Sequence, residues 1–266
     1  MAVMTTRRAI VRRGVKAPDD LAVEAPLVLG LEPSTGPGQA EAVATLMRTP
    51  GHDLELAAGW LTVESGVRRP TDIVQLRSCR EDDTDRVHMT LAAGVAPPRP
   101  RAFVTSAACG VCSADVLDLS PLRRAEPHSA GWTVARDVVA GLPDALRTHQ
   151  RAFDKTGGVH AAALARADGE LLAVREDVGR HNAVDKVVGR ALLDGLLPAT
   201  DHLLVVSGRV SFEIVQKAVA AGVAGIVAVS APSSLAVDLA REHGLLLAGM
   251  VRHGDLNVYA GADLVS

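Results

Sequence analysis

The sequence predicts an α+β / α/β protein with two domains: a small N-terminal α+β domain and a C-terminal α/β layered domain. Two proline-rich segments, 94–101 and 120–127, divide the chain. Before them, apolar runs typical of strands surround one helical segment. After them, strand and helix patterns alternate, as in layered α/β proteins. We expect an N-terminal domain over 1–100, a mobile loop and linker over 101–127, and the layered domain over 128–266.

Periodicity predicts the elements of the N-terminal domain. The predicted elements are strands over 22–31, 42–48, 72–79 and 86–92 and a helix over 53–65. In the last strand, Val87, Met89 and Leu91 alternate with polar residues, which predicts one buried face. These elements are typical of a small α+β domain.

The C-terminal half begins with a predicted helix over 134–150. Apolar runs over 160–166 and 170–175 follow, and the Ala167-Asp168-Gly169 turn between them predicts a hairpin. Alternating elements complete the chain, with helices over 177–193, 211–221 and 234–243 and strands over 202–206, 225–229, 245–251 and 256–260.

Charge and composition exclude several function classes. A net charge of -3 gives no field that would attract nucleic acid or an anionic membrane. An aromatic content of 2% is too low for base-stacking platforms. The apolar runs are shorter than the roughly 20 residues of a membrane-spanning helix, and the N-terminus lacks the apolar part of a signal peptide. We expect a cytoplasmic protein without nucleic-acid or membrane partners.

The most reactive candidate is the Cys-x-x-Cys pair formed by Cys109 and Cys112. In this spacing one thiol can attack while the other resolves or assists. A helix beginning near Ser113 would lower a thiol pKa. The small residues over 105–108 suit an exposed, mobile loop. The total of 3 cysteines is odd and too small for a disulfide framework, which indicates a reducing compartment.

Two other interpretations of the pair remain open. A structural zinc site needs a second pair of ligands, and Cys79 with scattered histidines does not supply one at a recognisable spacing. A thioredoxin-type dithiol would lie at a βα junction, whereas this pair follows a proline-rich loop. Cys79 itself is interpreted as an inert strand residue.

Three turns between strands and helices predict an anion site. They lie at 175–181, 207–209 and 230–234. If the sheet is partly parallel, all three lie at the same edge, where helix N-termini and arginines favour a phosphate-bearing ligand. Arg180, Ser207 and Arg209 are the candidate contacts. For each turn alone, the alternative is an ordinary helix start with a solvated arginine.

Other polar residues allow two interpretations each. His160, at the start of an apolar strand, is either a hydrogen-bonded core residue or part of a site. His181, Asn182 and Asp185 share a polar helical face that would contact a base or ribose, or would simply be solvated. The chain has no G-x-x-x-x-G-K-[ST] and no G-x-G-x-x-G before a helix, so nucleotide hydrolysis and a standard dinucleotide fold are not supported.

Several stretches together resemble the FdhD family, the formate dehydrogenase accessory sulfurtransferases. The matching stretches are 47–57, 109–112, 153–163, 175–186, 207–209 and 230–232. The long run over 175–186, Arg-Glu-Asp-Val-Gly-Arg-His-Asn-Ala-Val-Asp-Lys, is highly specific. The resemblance covers most of the chain.

The resemblance implies a sulfur-transfer function. Cys109 would carry a persulfide received from a cysteine desulfurase, with Cys112 as its partner. The sulfur would pass to the bis-molybdopterin guanine dinucleotide cofactor of molybdenum before its insertion into apo-formate dehydrogenase. The molybdenum cofactor would then be a substrate of the protein, and we expect no tightly bound cofactor. A homodimer is one expected assembly.

The resemblance also implies a cytidine-deaminase-like fold for the C-terminal domain. Its cofactor-contacting stretch matches Met250, Val251, Arg252, His253, Gly254 and Asp255. Deaminase chemistry is not expected, because the H-x-E and P-C-x-x-C signature of that zinc site is missing. The alternative function is a non-enzymatic chaperone that binds the cofactor or the apo-dehydrogenase and uses the cysteines only as ligands.

Overall fold

The computed structural model describes residues 3–33, 39–98 and 128–266, which form a mixed α/β structure with three β-sheets. The predicted loop with Cys109 and Cys112 lies outside the described residues. Within these ranges, no helix combines the length and the apolar character needed to cross a membrane.

The N-terminal half contains a four-stranded sheet and one α-helix. Its elements are β1 (Thr5–Arg12), β2 (Val15–Ala22), β3 (Ala25–Glu32), β4 (Glu41–Arg48), α1 (Asp53–Glu64), β5 (Ile73–Glu81) and β6 (Thr84–Leu91). The sheet has the order β4-β3-β6-β5, with β3 and β6 parallel and the outer pairs antiparallel. The predicted helix and the four predicted strands are confirmed.

The hairpin of β1 and β2 was not predicted. The chain reverses at Gly14, whose φ is 81°, and exposed ion pairs such as Arg7–Asp20 join the strands. None of the residues in β1 or β2 is fully buried. Because neither face is fully buried, the sequence lacks the apolar alternation by which strands are recognised.

The C-terminal half forms a six-stranded sheet with the order β12-β11-β10-β9-β7-β8. Its elements are α2 (Arg136–Arg147), α3 (Arg151–Thr156), β7 (His160–Arg166), β8 (Leu171–Asp177), α4 (Arg180–Leu193), β9 (His202–Val206), α5 (Phe212–Ala221), β10 (Gly225–Ala228), α6 (Ser234–Glu242), β11 (Leu246–Arg252) and β12 (Asp255–Ala260). Strands β9, β10 and β11 are parallel. The predicted hairpin of β7 and β8 is confirmed.

The predicted start of the helix over 177–193 is wrong by three residues. Asp177 ends β8, and α4 begins at Arg180 after an extended Gly179. In a sequence, a polar residue usually indicates that a buried strand has ended. Asp177 is polar but fully buried, because its carboxylate accepts hydrogen bonds from the amides of Thr49 and Gly179.

Helices cover both faces of the six-stranded sheet. Alternate strand residues such as Leu203 and Val205 pack with α2, whereas Leu204 and Val206 belong to the larger apolar cluster with α4, α5 and α6. That larger cluster also contains α1 and the inner face of the four-stranded sheet. The N-terminal and C-terminal halves therefore share one hydrophobic core.

Helices α1 and α4 cross at two glycines. A Cβ added to Gly59 would overlap the carbonyl group of Asp185, and one added to Gly189 would overlap that of Glu55. Only glycine at both positions lets the two backbones approach this closely. This crossing sets the distance between the two halves.

A buried ion pair fixes the chain between β8 and α4. The Nζ of Lys186 lies 2.7 Å from Oδ2 of Asp177, and both side chains are 0% exposed. Lys186 also donates to the Thr49 carbonyl at 2.8 Å, and the Thr49 amide donates to Asp177 at 3.1 Å. The end of β4 is thereby joined to the start of α4.

Asn182 and Asp185 on the polar face of α4 are neither solvated nor open to a ligand, so both sequence interpretations of these two residues are wrong. Asn182 is buried and donates from Nδ2 to the Met47 carbonyl at 2.8 Å. Asp185 is buried and accepts hydrogen bonds from Lys217 of α5 at 2.7 and 2.9 Å. Both side chains hold neighbouring elements in place.

A second ion pair holds α1 against β8. Arg175 donates from Nε and Nη2 to the two carboxylate oxygens of Glu55, at 2.5 and 2.7 Å. Burial opposes ionisation of Glu55, but the hydrogen bonds from Arg175 and His52 outweigh it and lower its pKa to about 2. The carboxylate is therefore charged at neutral pH and stabilises the folded state.

Alanine at either crossing glycine is expected to destabilise the fold. Gly59→Ala or Gly189→Ala places a methyl group on the backbone of the opposite helix, and overpacking of this kind costs about 1–3 kcal/mol or more. Denaturant titration measures the loss. Gly141→Ala in α2 is the matched control, since a Cβ there meets nothing within 4 Å, and it should stabilise by up to about 1 kcal/mol. Equal effects in all three variants would contradict the crossing.

Acid is expected to remove the contribution of Glu55. Its folded pKa of about 2 lies below the ordinary 4.5, so this stabilisation is complete above about pH 4.5 and is lost as the pH falls towards 2. Glu55→Gln should be less stable than the wild type at pH 7, and the difference should shrink at pH 4 and again at pH 3. Denaturant titrations at the three pH values measure it. A difference that stays constant would refute the role of the ionised pair.

Candidate functional site

The three predicted turns lie at one edge of the six-stranded sheet. Strands β8, β9 and β10 run in the same direction, because β7 is antiparallel to β8 and β9, and β10 is parallel to β9. Their carboxyl ends lead into α4, α5 and α6. Ligands of open α/β sheets bind at such an edge. We call this turn edge the candidate site; the prediction that the three turns lie at one edge is confirmed.

Hydrogen bonds join the turns into one continuous surface. Ser207 donates its amide to the Ala161 carbonyl at 3.0 Å and accepts from the Ala161 amide on Oγ at 2.9 Å. Val210, directly after the second turn, pairs with Pro232 in the third turn. The Met250 amide donates to the Ser230 carbonyl at 3.2 Å. The site is therefore built on backbone fixed by the sheet.

His160, the first residue of β7, lies against the second turn. A Cβ added to Gly208 would be 3.2 Å from Nδ1 of His160 and 4.0 Å from Cβ of Arg180. Glycine at this position lets the turn pass close to both side chains. The structure thus brings His160 into the site, which the sequence alone left undecided.

The turn edge is electropositive. Burial lowers the pKa of His160, and the positive charges of Arg180, His181 and Arg209 lower it further. The imidazole is therefore neutral at pH 7 and offers hydrogen bonds rather than charge. The arginines supply the attraction for an anion.

The two arginines lack a carboxylate partner within residues 3–33, 39–98 and 128–266. Arg209 is exposed, and the Nε of Arg180 is buried without a hydrogen-bond acceptor there. The N-terminus of α4 also has no side-chain cap, because Gly179 precedes it. Free amides at a helix start favour anions. The arrangement can bind a phosphate group.

His181 and Glu213 form a second polar pair beside the arginines. The Nε2 of His181 lies 3.6 Å from Oε2 of Glu213 and 3.3 Å from Oγ of Ser211. The nearby His181 lowers the pKa of Glu213 to about 2, despite partial burial. This carboxylate occupies the start of α5, so the free helix start at the site is that of α4.

The stretch assigned by resemblance to cofactor contact forms the adjacent hairpin of β11 and β12. Residues 252–255 are exposed, and Met250 is half-buried with a φ of 55°. The side chain of Val251 is fully buried in the cluster beneath α2, so it packs in the core. Arg136 donates to the Gly254 carbonyl at 3.4 Å and ties the hairpin to α2.

Of the three cysteines, only Cys79 lies within the described residues. Cys109 and Cys112, the predicted catalytic pair, lie outside them. Cys79 lies on β5, as predicted, and is half-buried. Burial and the nearby charge of Glu81 raise the pKa of its thiol.

Comparison with known proteins gives consistent matches over the whole chain. A family model described as the FdhD/NarQ family matches residues 24–266. A Streptomyces coelicolor protein named sulfur carrier protein FdhD is 45% identical over 287 residues, which cover 100% of this chain and 97% of that protein. A Mycobacterium tuberculosis protein of the same name is 42% identical over 265 residues, with 95% and 94% covered.

A solved structure has a similar fold. The crystal structure of a formate dehydrogenase accessory protein from Desulfotalea psychrophila superposes with a TM-score of 0.77 and covers 98% of both chains. The sequence identity is 22%, so this likeness concerns the fold.

We expect the turn edge to bind inorganic pyrophosphate with an affinity that falls as salt rises. Arg180→Ala or Arg209→Ala should weaken binding by about 1–3 kcal/mol, because each removes a charge-assisted hydrogen bond. Arg166→Ala is the matched control, since Arg166 lies at the opposite end of β7 from His160. Calorimetry measures the affinities. Equal weakening by all three substitutions would refute a localised site.

Proposed function

The chain belongs to the FdhD/NarQ family, and on that premise we propose that it is a sulfurtransferase, a sulfur carrier that supplies the molybdenum cofactor of formate dehydrogenase. Relatives that align with nearly the whole chain are named sulfur carrier proteins. The observation that carries the proposal is the electropositive turn edge, which suits an anionic cofactor. The same chain contains a Cys-x-x-Cys pair suited to sulfur transfer.

The first proposed step loads sulfur onto Cys109. Its thiolate attacks the outer sulfur of a persulfide on a cysteine desulfurase. The donor's S–S bond breaks, a new S–S bond forms on Cys109, and the donor cysteine leaves as a thiolate. No electrons are gained or lost overall.

The second proposed step releases the sulfur at the cofactor. The Cys112 thiolate attacks Sγ of the persulfidated Cys109, and the outer sulfur leaves as hydrosulfide beside the molybdenum. A Cys109–Cys112 disulfide forms, so the cysteine pair supplies the two electrons that reduce the sulfane sulfur. A cellular dithiol then reduces the disulfide and restores the pair.

The turn edge is the proposed binding site for the cofactor, which is a substrate here. The carboxyl ends of β9 and β11 are two strand spacings apart, or about 10 Å at about 4.8 Å each. Arg180, at the start of α4, lies beside Arg209 at the turn after β9, and Arg252 ends β11. This span suits a ligand with two phosphate-bearing arms, as a bis-guanine-dinucleotide cofactor has.

We also propose a division of the chain into domains and a cellular location. The six-stranded sheet with helices on both faces supports a cytidine-deaminase-like domain over 128–266. Residues 1–100 would form the α+β domain, and 101–127 the loop that carries the cysteines between partners. We place the protein in the cytoplasm, with a cysteine desulfurase and apo-formate dehydrogenase as its partners.

Cys109→Ala is expected to abolish sulfur transfer without loss of cofactor binding. Wild type incubated with a cysteine desulfurase and cysteine should gain a reducible mass of sulfur on Cys109, and the variant should not. Formate dehydrogenase matured with the variant should contain molybdenum yet be inactive. Mass spectrometry, metal analysis and dehydrogenase assay measure the three results. Arg166→Ala should behave as wild type.

The alternative chaperone function gives the opposite result. If the alanine variant supports fully active dehydrogenase, the cysteine is not a sulfur carrier and the proposal is refuted. A structural zinc site at the pair would give a third result, in which the variant loses bound metal and unfolds.

A further inference from the structure

Three side chains with metal-binding atoms converge on the outer face of the four-stranded sheet. They are Cys79 and Glu81 of β5 and His88 of β6. The Cys79 Sγ lies 3.6 Å from Nε2 of His88 and 3.7 Å from Oε1 of Glu81, and that oxygen lies 3.6 Å from the same Nε2. The three donor atoms thus form a nearly equilateral triangle.

The size of this triangle fits a tetrahedral metal ion. Ligand atoms bound to zinc at about 2.0–2.3 Å in a tetrahedron are about 3.3–3.8 Å apart. Thiolate sulfur, imidazole nitrogen and carboxylate oxygen are also the three donor types that zinc accepts in proteins. An ion near the centre of the triangle would need no large movement of its ligands.

The His88 ring is oriented as in a metal ligand. Its Nδ1 lies 3.0 Å from Oε1 of Glu32, and Thr90 donates to the other Glu32 oxygen at 3.2 Å. Nδ1 lies near both the Glu32 carboxylate and the Arg77 donor, so its role depends on the tautomer. In the tautomer that donates Nδ1–H to Glu32, the lone pair of Nε2 faces Cys79, and this is the form that binds a metal. Metal-bound histidines typically donate their second nitrogen to a carboxylate in this way.

Two arginines complete the surroundings without blocking the centre. The Nη2 of Arg77 lies 3.0 Å from Oε1 of Glu32 and 2.9 Å from Nδ1 of His88, on the side of the ring away from Cys79. Arg86 lies 3.2 Å from Oε2 of Glu81, so Oε1 faces the triangle. An ionised Cys79 with the two glutamates would give three negative charges against two positive ones, which favours a cation.

The surrounding backbone leaves room for the site and for access to it. Gly30 of β3 pairs with His88, and a Cβ at this glycine would lie 3.6 Å from the His88 ring. Cys79 borders a surface depression between the β1–β2 hairpin and the sheet. The Glu81 side chain is 50% exposed, whereas that of His88 is 12% exposed. The site is therefore reachable from solvent on the Glu81 side.

We propose that Cys79, Glu81 and His88 bind a divalent cation of the zinc class, with Glu32 as the partner that orients His88. The three protein ligands leave a fourth position open to water or to an incoming ligand, as in zinc sites that are not purely structural. The site lies on a different sheet from the turn edge and is independent of the proposed sulfur transfer.

Cobalt(II), used as the probe, tests the proposal in the full-length protein. The test uses a Cys109→Ser/Cys112→Ser background, so that any thiolate ligand must come from Cys79. We expect one equivalent of cobalt to bind, with near-ultraviolet thiolate-to-cobalt charge-transfer absorption and the visible spectrum of a tetrahedral ion. The absence of charge-transfer absorption in this background would overturn the proposal.

Single substitutions in the same background identify the ligands. Cys79→Ser should abolish the charge-transfer absorption, and its retention would refute the site. Glu32→Gln keeps all three ligands and serves as a second test if Cys79→Ser fails to fold. Because it weakens the contact that orients His88, it should reduce the affinity for cobalt by about 10- to 100-fold. His149→Gln, at an exposed histidine after α2, is the matched control and should bind as the background does. Equal affinity in the Glu32 and His149 variants would contradict the proposal.

Discussion

The buried ion pair of Lys186 and Asp177 is the interaction on which the arrangement of the site depends. Removing one partner of such a pair typically costs about 3–5 kcal/mol, because the other charge stays buried without compensation. Here the pair also bonds to Thr49 at the end of β4, so it joins the two halves of the chain. The turn that presents Arg180 starts from this anchor. A displacement of Asp177 would therefore move the first turn and Arg180 with it.

The run over 175–186 combines two roles within twelve residues. Its buried members bond to other elements: Asp177 and Lys186 to Thr49, and Asn182 to the end of β4. Its remaining charged members include Arg180, which lies at the proposed anion site. Positive charges held close together, such as those of Arg180 and Arg209, repel each other until an anion binds, so they need a rigid support. The buried polar groups supply that support, which explains why binding and structural residues are interleaved along one turn.

Sequence patterns predicted most elements, because most have one buried face. The β1–β2 hairpin, which has no fully buried face, was missed. The start of α4 was misplaced because Asp177 is polar yet fully buried. For the site, the turns were predicted to meet at one edge on the condition that the sheet is partly parallel, and the structure fulfils this condition. The position of His160 depends on its contact with Gly208, and the proximity of Cys79 to His88 depends on antiparallel register, so neither follows from spacing along the chain.

The packing of α1 on α4 has a consequence for synthesis on the ribosome. Helix α4 covers part of α1. It begins at Arg180, more than one hundred residues after α1 ends at Glu64. At about 5–20 residues per second, translation of that interval takes on the order of 10 s. During this time the apolar side of α1 and the inner face of the four-stranded sheet lack their partner. Exposed apolar surface of this kind favours aggregation of an incomplete chain, so we expect a truncated N-terminal half to aggregate more readily than the full chain.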